Sequence, residues 1–220
     1  MTITVGVVVF PGSNCEHDVV EAVDSIGGSG KLLWHKDTDL GDADAVVLPG
    51  GFAHGDYLRT GAMARFSPIM RAVERFAHDG GPVVGICNGF QILTEARLLP
   101  GALYKNRGLK FLCQNAMLRV ASTDSVLTRA LKEGDELNIP INHFEGNYIC
   151  SKVTLDELHD KNRIVLTYKD NPNGSTADIA GICNDQGNVV GLMPHPERAA
   201  HPLLGSTDGV ALLKGLLGDG

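Results

Sequence analysis

The chain is poor in aromatic residues, 5% with a single tryptophan, and poor in positive charge, with 19 Lys and Arg against 26 Asp and Glu and a formal net charge of -7. That deficit argues against nucleic acid and anionic membranes as partners, since both recruit basic surfaces. No stretch approaches the roughly 20 apolar residues that a membrane-spanning helix needs. There is no Cys-x-x-Cys. Cys15, Cys87, Cys113, Cys150 and Cys183 are odd in number and widely spaced. This usage fits a reducing, cytoplasmic setting and neither a disulfide framework nor a zinc ribbon. Basic residues are also missing ahead of the first apolar run, which therefore reads as a strand and not a signal peptide. Repeats, low-complexity tracts and linkers are absent, so one domain over 1–220 is expected. A phosphate loop is excluded as well: Gly28-Ser29-Gly30-Lys31 would need glycine at position 25 and Ser or Thr at 32, where the chain has Ser25 and Leu32.

What is present is an alternation of buried-strand and helix patterns. Val5–Phe10 is a continuous apolar run, followed by the turn Pro11-Gly12-Ser13-Asn14 and a helical pattern through Val19, Val23 and Ile26. Lys31–Trp34 and Ala45–Leu48 read as short strands, Arg65–Ala77 as an amphipathic helix carrying Phe66, Ile69, Met70, Val73 and Phe76, and Val83–Ile86 as another strand. This predicts an open α/β sheet with mainly parallel strands. Beyond Pro100 the pattern becomes strand-rich: Phe111–Val120, Glu136–Ile141, Ile164–Tyr168, Ile179–Cys183 and Val189–Met193. A short helix near Leu155–His159 and a closing helix over about Thr207–Leu217 complete the reading.

The chemistry concentrates at Gly85-Ile86-Cys87-Asn88-Gly89-Phe90-Gln91, where an apolar strand ends in a cysteine flanked by glycines and a helical stretch follows. A nucleophile elbow needs this arrangement: a sharp strand-to-helix turn, small neighbours, and a helix N-terminus that favours thiolate. A cysteine nucleophile also needs a base and a group that orients it. Pro194-His195-Pro196-Glu197 supplies both, and in an extended segment side chains two residues apart point the same way. Metal binding by His195, Glu197 and His201 matches no known ligand spacing. Oxyanion donors are expected from Gly51 or Phe52 in Pro49-Gly50-Gly51-Phe52, together with the N–H of Asn88. His143 and Glu145 suit either a pocket rim or a structural hydrogen bond. Asp56 and Arg59 suit either the oxyanion loop or a partner contact. For the remaining groups the reading is structural: Cys15, Cys113, Cys150 and Cys183 as buried small hydrophobes, Trp34 as core or a strand-end anchor, and His17, His35, His78 and His159 at the surface.

The Cys87 block and the Pro194–Glu197 block together resemble the triad-type (class I) glutamine amidotransferases. Phe10-Pro11-Gly12-Ser13-Asn14-Cys15, Pro49–Phe52 with Gly55-Asp56-Tyr57-Leu58-Arg59, Asp170-Asn171-Pro172-Asn173-Gly174-Ser175, and Met193–Ala199 narrow the resemblance. They point to the family of glutaminase subunits of phosphoribosylformylglycinamidine synthase. The resemblance implies a flavodoxin-like α/β core and a Cys87–His195–Glu197 triad. It puts oxyanion roles on Gly51 and Asn88, and substrate-binding roles on Gln91 and Gly50. It also implies no metal or cofactor in this chain, with glutamine as substrate. Two partners are implied: a larger synthetase subunit, which carries ATP and Mg, and a small bridging subunit. The chain departs from the usual family residues at Ala53-His54, Asn142 and Phe144, away from the triad. A glutaminase serving a pyridoxal phosphate, GMP or histidine synthase would lack the Asp170–Ser175 block. A Cys-elbow hydrolase would lack Pro194–Glu197.

Overall fold

The computed structural model describes residues 2–218. Four strands are buried along nearly their whole length: β1 (Thr4–Val9), β3 (Ala45–Leu48), β4 (Val83–Ile86) and β11 (Val189–Leu192). Apolar on both faces, they take the centre of a parallel sheet covered on each side. β2 (Ser29–Trp34) is half-exposed and forms one edge. The other half is antiparallel and built from β6 (Leu112–Val120), β7 (Glu136–His143), β9 (Ile164–Tyr168) and β10 (Ile179–Cys183). The nine strands run in the order β2-β1-β3-β4-β11-β10-β9-β6-β7. β7 alternates, with Leu137, Ile139, Ile141 and His143 turned to the core, as a strand with one covered face must.

The helices follow their caps and breakers. α1 (Glu16–Ser25) starts at Cys15, with Glu16 and Asp18 in the first turn where the helix dipole favours negative charge. The helix expected over Arg65–Ala77 is split. A 3-10 turn covers Ala64–Phe66, Ser67 is extended at φ -61 and ψ 141, and α2 covers only Met70–His78. Pro68 explains this, because its ring disfavours the helical region for the preceding residue. Phe66 is consequently exposed, while Ile69, Met70 and Val73 are core. α3 (Asn88–Glu95) follows β4 directly, and α4 (Lys152–Asp160) is capped by the Ser151 hydroxyl, which accepts from Thr154 N–H at 3.1 Å. α5 (Gly209–Leu216) closes the chain against the 3-10 turn at Pro196–Ala199. A small pair, β5 (Ala102–Tyr104) and β8 (Asn147–Ile149), was not legible in the sequence. Among the described residues no helix is long and apolar enough to cross a membrane.

The structure corrects three single-residue expectations and decides a fourth. His35 is buried and shares the Ser67 hydroxyl with His54, at 3.2 and 3.4 Å. Cys113, near the start of β6, is exposed, and Cys150, the residue after Ile149, is only half-buried. Trp34 ends β2 with 45% exposure and stacks edge-on against His35, so it is a strand-end anchor.

Candidate active site

β4 pairs in parallel with β3 on one side and with β11 on the other, Gly85 lying opposite both Leu48 and Gly191. The carboxyl ends of three neighbouring strands therefore emerge together, and this end of an open α/β sheet is where ligands bind. β3 delivers Gly50 and Gly51, β4 delivers Cys87, and β11 delivers His195. The Cys87 N–H donates to the Leu192 carbonyl at 2.8 Å, tying the elbow to the strand that carries the histidine.

Cys87 sits at φ 52 and ψ -104, a region that non-glycine residues rarely adopt. The flanking glycines make the turn possible. A methyl group at Gly89 would collide with the Leu48 carbonyl, and one at Gly85 would press on Gly89 and Leu93. The Cys87 thiol points at the Asn142 carbonyl, 3.6 Å away.

His195 and Glu197 are both fully buried, with Nδ1 and Oε1 2.6 Å apart. They do not pair along an extended segment, as their spacing suggests. Instead, Pro196 opens a 3-10 turn that brings the carboxylate back under the ring. The His195 N–H donates to the Pro140 carbonyl at 2.9 Å, and its Nε2 has no partner. Burial works against protonation of this ring. The charges of Glu197 and Cys87, with the Cys15 and Cys87 sulfurs close by, outweigh it and hold the imidazole well above its usual range.

Cys15 is the member of this cluster that sequence reasoning missed. Its Sγ, His195 and Glu197 place donor atoms within 4.8 Å of one another, all buried. The Arg198 Nη2 lies 3.1 Å from the Cys15 sulfur, and Arg198 Nε 3.2 Å from Asp18. Three such donors could ligate a soft metal, but the guanidinium already supplies a positive charge at that position. The only sequence signal was the helix start at position 15, since partners from both ends of the chain meet there.

The two glycines separate in role. Gly50 does not line the cavity in front of Cys87. It packs against His195, where an added methyl would lie 2.7 Å from the ring, and its carbonyl accepts from Asn14 and Cys15. Gly50 thus supports the histidine. The Phe52 N–H is not free for an oxyanion because it donates to the Gly12 carbonyl at 2.8 Å. Gly51 at φ 148 and Asn88 in the first turn of α3 have no acceptor for their N–H groups among the described residues.

Gln91 lines the cavity, yet both ends of its amide are engaged. Its Oε1 accepts from Asn88 Nδ2 at 2.8 Å, and its Nε2 donates to the Glu145 carbonyl at 2.6 Å. Asn88 Oδ1 in turn accepts from Ala53 N–H at 3.0 Å, so one chain of bonds joins the loop after β3, α3 and the Phe144–Gly146 segment. That segment is also held from behind. Asn173, fully buried, donates to the Gly146 carbonyl at 2.8 Å, and Asn106 accepts from Gly146 N–H and His143 Nδ1, both at 3.1 Å. The Asp170–Ser175 block is a buttress for the pocket wall.

The cavity is about 390 Å³ and is lined by Cys87, Gln91, His143, Asp56, Glu145 and Lys105, among others. Burial, with the nearby His195 as a lesser cause, drives His143 down to about 4, so it is neutral at physiological pH. Burial first, and the Glu145 charge second, pushes Asp56 up to about 6.

A strained thiol elbow on one parallel strand, with a buried His–Glu pair on the next, has the architecture of a class I glutamine amidotransferase. Residues 2–208 match the family described as CobB/CobQ-like glutamine amidotransferase domain. The chain is 56% identical over 213 residues to phosphoribosylformylglycinamidine synthase subunit PurQ of Rubrobacter xylanophilus, covering 97% of each. It is 56% identical over 215 residues to the protein of that name from Parasynechococcus marenigrum, covering 97% of this chain and 99% of the other. A chain of the solved PurLQS structure from Thermotoga maritima superposes with a TM-score of 0.92 at 41% identity, covering 99% of both chains. The chain belongs to the glutamine amidotransferase family, within its phosphoribosylformylglycinamidine synthase subunit PurQ branch.

Proposed function

We propose that the chain acts over its whole length as one cytoplasmic glutaminase domain that feeds ammonia to a synthetase subunit. The observation that carries this is the parallel pairing of β4 with β11, which sets Cys87 in its strained turn beside the His195–Glu197 pair. His195 Nε2 takes the Cys87 thiol proton as the sulfur attacks the side-chain amide carbon of glutamine, and the developing oxyanion accepts from Gly51 and Asn88 N–H. The C–N bond breaks as protonated His195 gives its proton to the departing ammonia, leaving a γ-glutamyl thioester on Cys87. His195 then takes a proton from water, which attacks the thioester carbonyl, and glutamate leaves with the thiol restored. Glu197 holds the ring in the tautomer that leaves Nε2 free for these transfers.

The ammonia passes to a larger synthetase subunit, with ATP and Mg on that partner and a small bridging subunit between them. There formylglycinamide ribonucleotide becomes the amidine in purine synthesis. The names and the assembly of the relatives support this role. The test is glutamate release from glutamine with and without the synthetase partners, for wild type and Cys87→Ala. Partner-stimulated release that disappears in Cys87→Ala is expected. Release equal in wild type and Cys87→Ala would refute the nucleophile, and equal wild-type turnover with and without partners would refute the coupling.

A further inference from the structure

The charges around the cavity in front of Cys87 are not balanced by the protein itself. Asp56 and Glu145 both line it, together with the cations Arg59 and Lys105. Arg59 is already committed: its Nε and Nη2 each lie 2.6 Å from one oxygen of Glu95. Lys105 has no carboxylate partner among the described residues. Among the described residues the Glu145 carboxylate accepts a hydrogen bond only from the Thr60 hydroxyl, at 3.0 Å. Asp56 has no cation against it, and its Oδ1 is shielded from water with no hydrogen-bond partner. His143, 3% exposed and lining the same cavity, likewise leaves its Nε2 unpartnered.

A buried carboxylate oxygen without a partner carries a cost that a structural loop residue has no reason to bear. The backbone holds it there against a further cost, with His54, Gly55, Asp56 and Leu58 all at positive φ between 53 and 70. Glutamine carries what this cavity lacks. Its neutral amide belongs at Cys87, and its other end bears one ammonium and one carboxylate.

We infer that Asp56, with Glu145 beside it, receives the α-ammonium group of the substrate, and that Lys105 takes the α-carboxylate. This rests on the glutaminase reading above and adds to it the group that makes the pocket select a free α-amino acid. Burial first and the Glu145 charge second raise Asp56, and a bound ammonium would offset both. A glutamine residue inside a peptide, lacking the free ammonium, would leave both carboxylates unpaired and be rejected.

The test compares glutamine with glutaramate, which has the same chain, amide and carboxylate but no α-amino group. Rates are measured on the assembled synthase for wild type, Asp56→Asn and Lys105→Met. Asparagine tolerates the left-handed backbone at position 56, so the loop is preserved. Asp56→Asn is expected to lower kcat/KM for glutamine roughly ten-fold or more, mainly through KM, and to change that for glutaramate less than about two-fold. Lys105→Met should weaken both substrates together. Equal losses on both substrates in Asp56→Asn, or no loss on either, would overturn the assignment while Cys87-dependent glutamine hydrolysis still stood. Absence of any glutamine hydrolysis by wild type would overturn both readings.

Discussion

Two titrating residues in the cavity oppose each other in acid. His143 is held at about 4, below the ordinary histidine value of 6.5, so the unfolded chain takes up its proton first as pH falls. Its contribution to stability is therefore present above about 6.5 and lost toward 4, at most about 3 kcal/mol. Asp56, raised to about 6, binds its proton first in the folded state, so its charge destabilises above 6 and that cost fades as pH falls toward 4. Removing one should expose the other. Asp56→Asn is expected to gain on the order of 1 kcal/mol above pH 6, discounted for its partial exposure, and to lose stability more steeply below it. His143→Gln should flatten the acid slope. Urea midpoints at pH 7.5, 6 and 4.5 measure both effects, and a steepened slope in His143→Gln would contradict them. At the elbow, Gly89→Ala forces a methyl against the Leu48 carbonyl, which is backbone and cannot swing away. A loss of about 3 kcal/mol or more is expected by the same measurement, far above the ordinary surface substitution.

At the scale of elements, the loop after β3 is strained and held by hydrogen bonds to several other segments. Ala53 N–H is held by Asn88, and Arg59 grips Glu95 at the end of α3. The Arg59–Glu95 pair is largely exposed on the arginine side, so Arg59→Ala should cost less than about 1 kcal/mol globally. The same change should speed amide exchange over residues 53–60 and raise KM for glutamine. Unchanged protection there would show that the pair does not hold the loop. The buried strands were legible because residues 5–9, 45–48, 83–86 and 189–192 are apolar on both faces. The small β5–β8 pair was not, since three residues carry no period. Nor was the break in the 65–77 pattern, although Pro68 stood in it. In the site, Cys87, His195 and Glu197 stood out because their local turns demand unusual neighbours. Cys15 and Lys105 did not, and Asp56 stood out only without its neighbours, because each has surroundings made of residues far away in sequence. The engagement of the Phe52 N–H was hidden for the same reason: the acceptor that occupies it, Gly12, lies on a different loop.

Across the whole molecule, the sheet divides into a parallel half that carries Cys87 and an antiparallel half that walls the pocket through His143 and Glu145. The two halves meet at β11, which lies between β4 and β10 although it is the last strand in chain order. A ribosome makes the chain in one direction, so β4 and its thiol are finished long before the segment that pairs with them. Until residues 189–199 emerge, the growing chain holds a cysteine without its imidazole and a sheet with a gap in its middle. The strand that closes the gap also brings the His195–Glu197 pair, so filling the sheet and pairing the thiol with its imidazole are a single event. A partly made chain therefore keeps Cys87 apart from the two groups that surround it in the finished sheet.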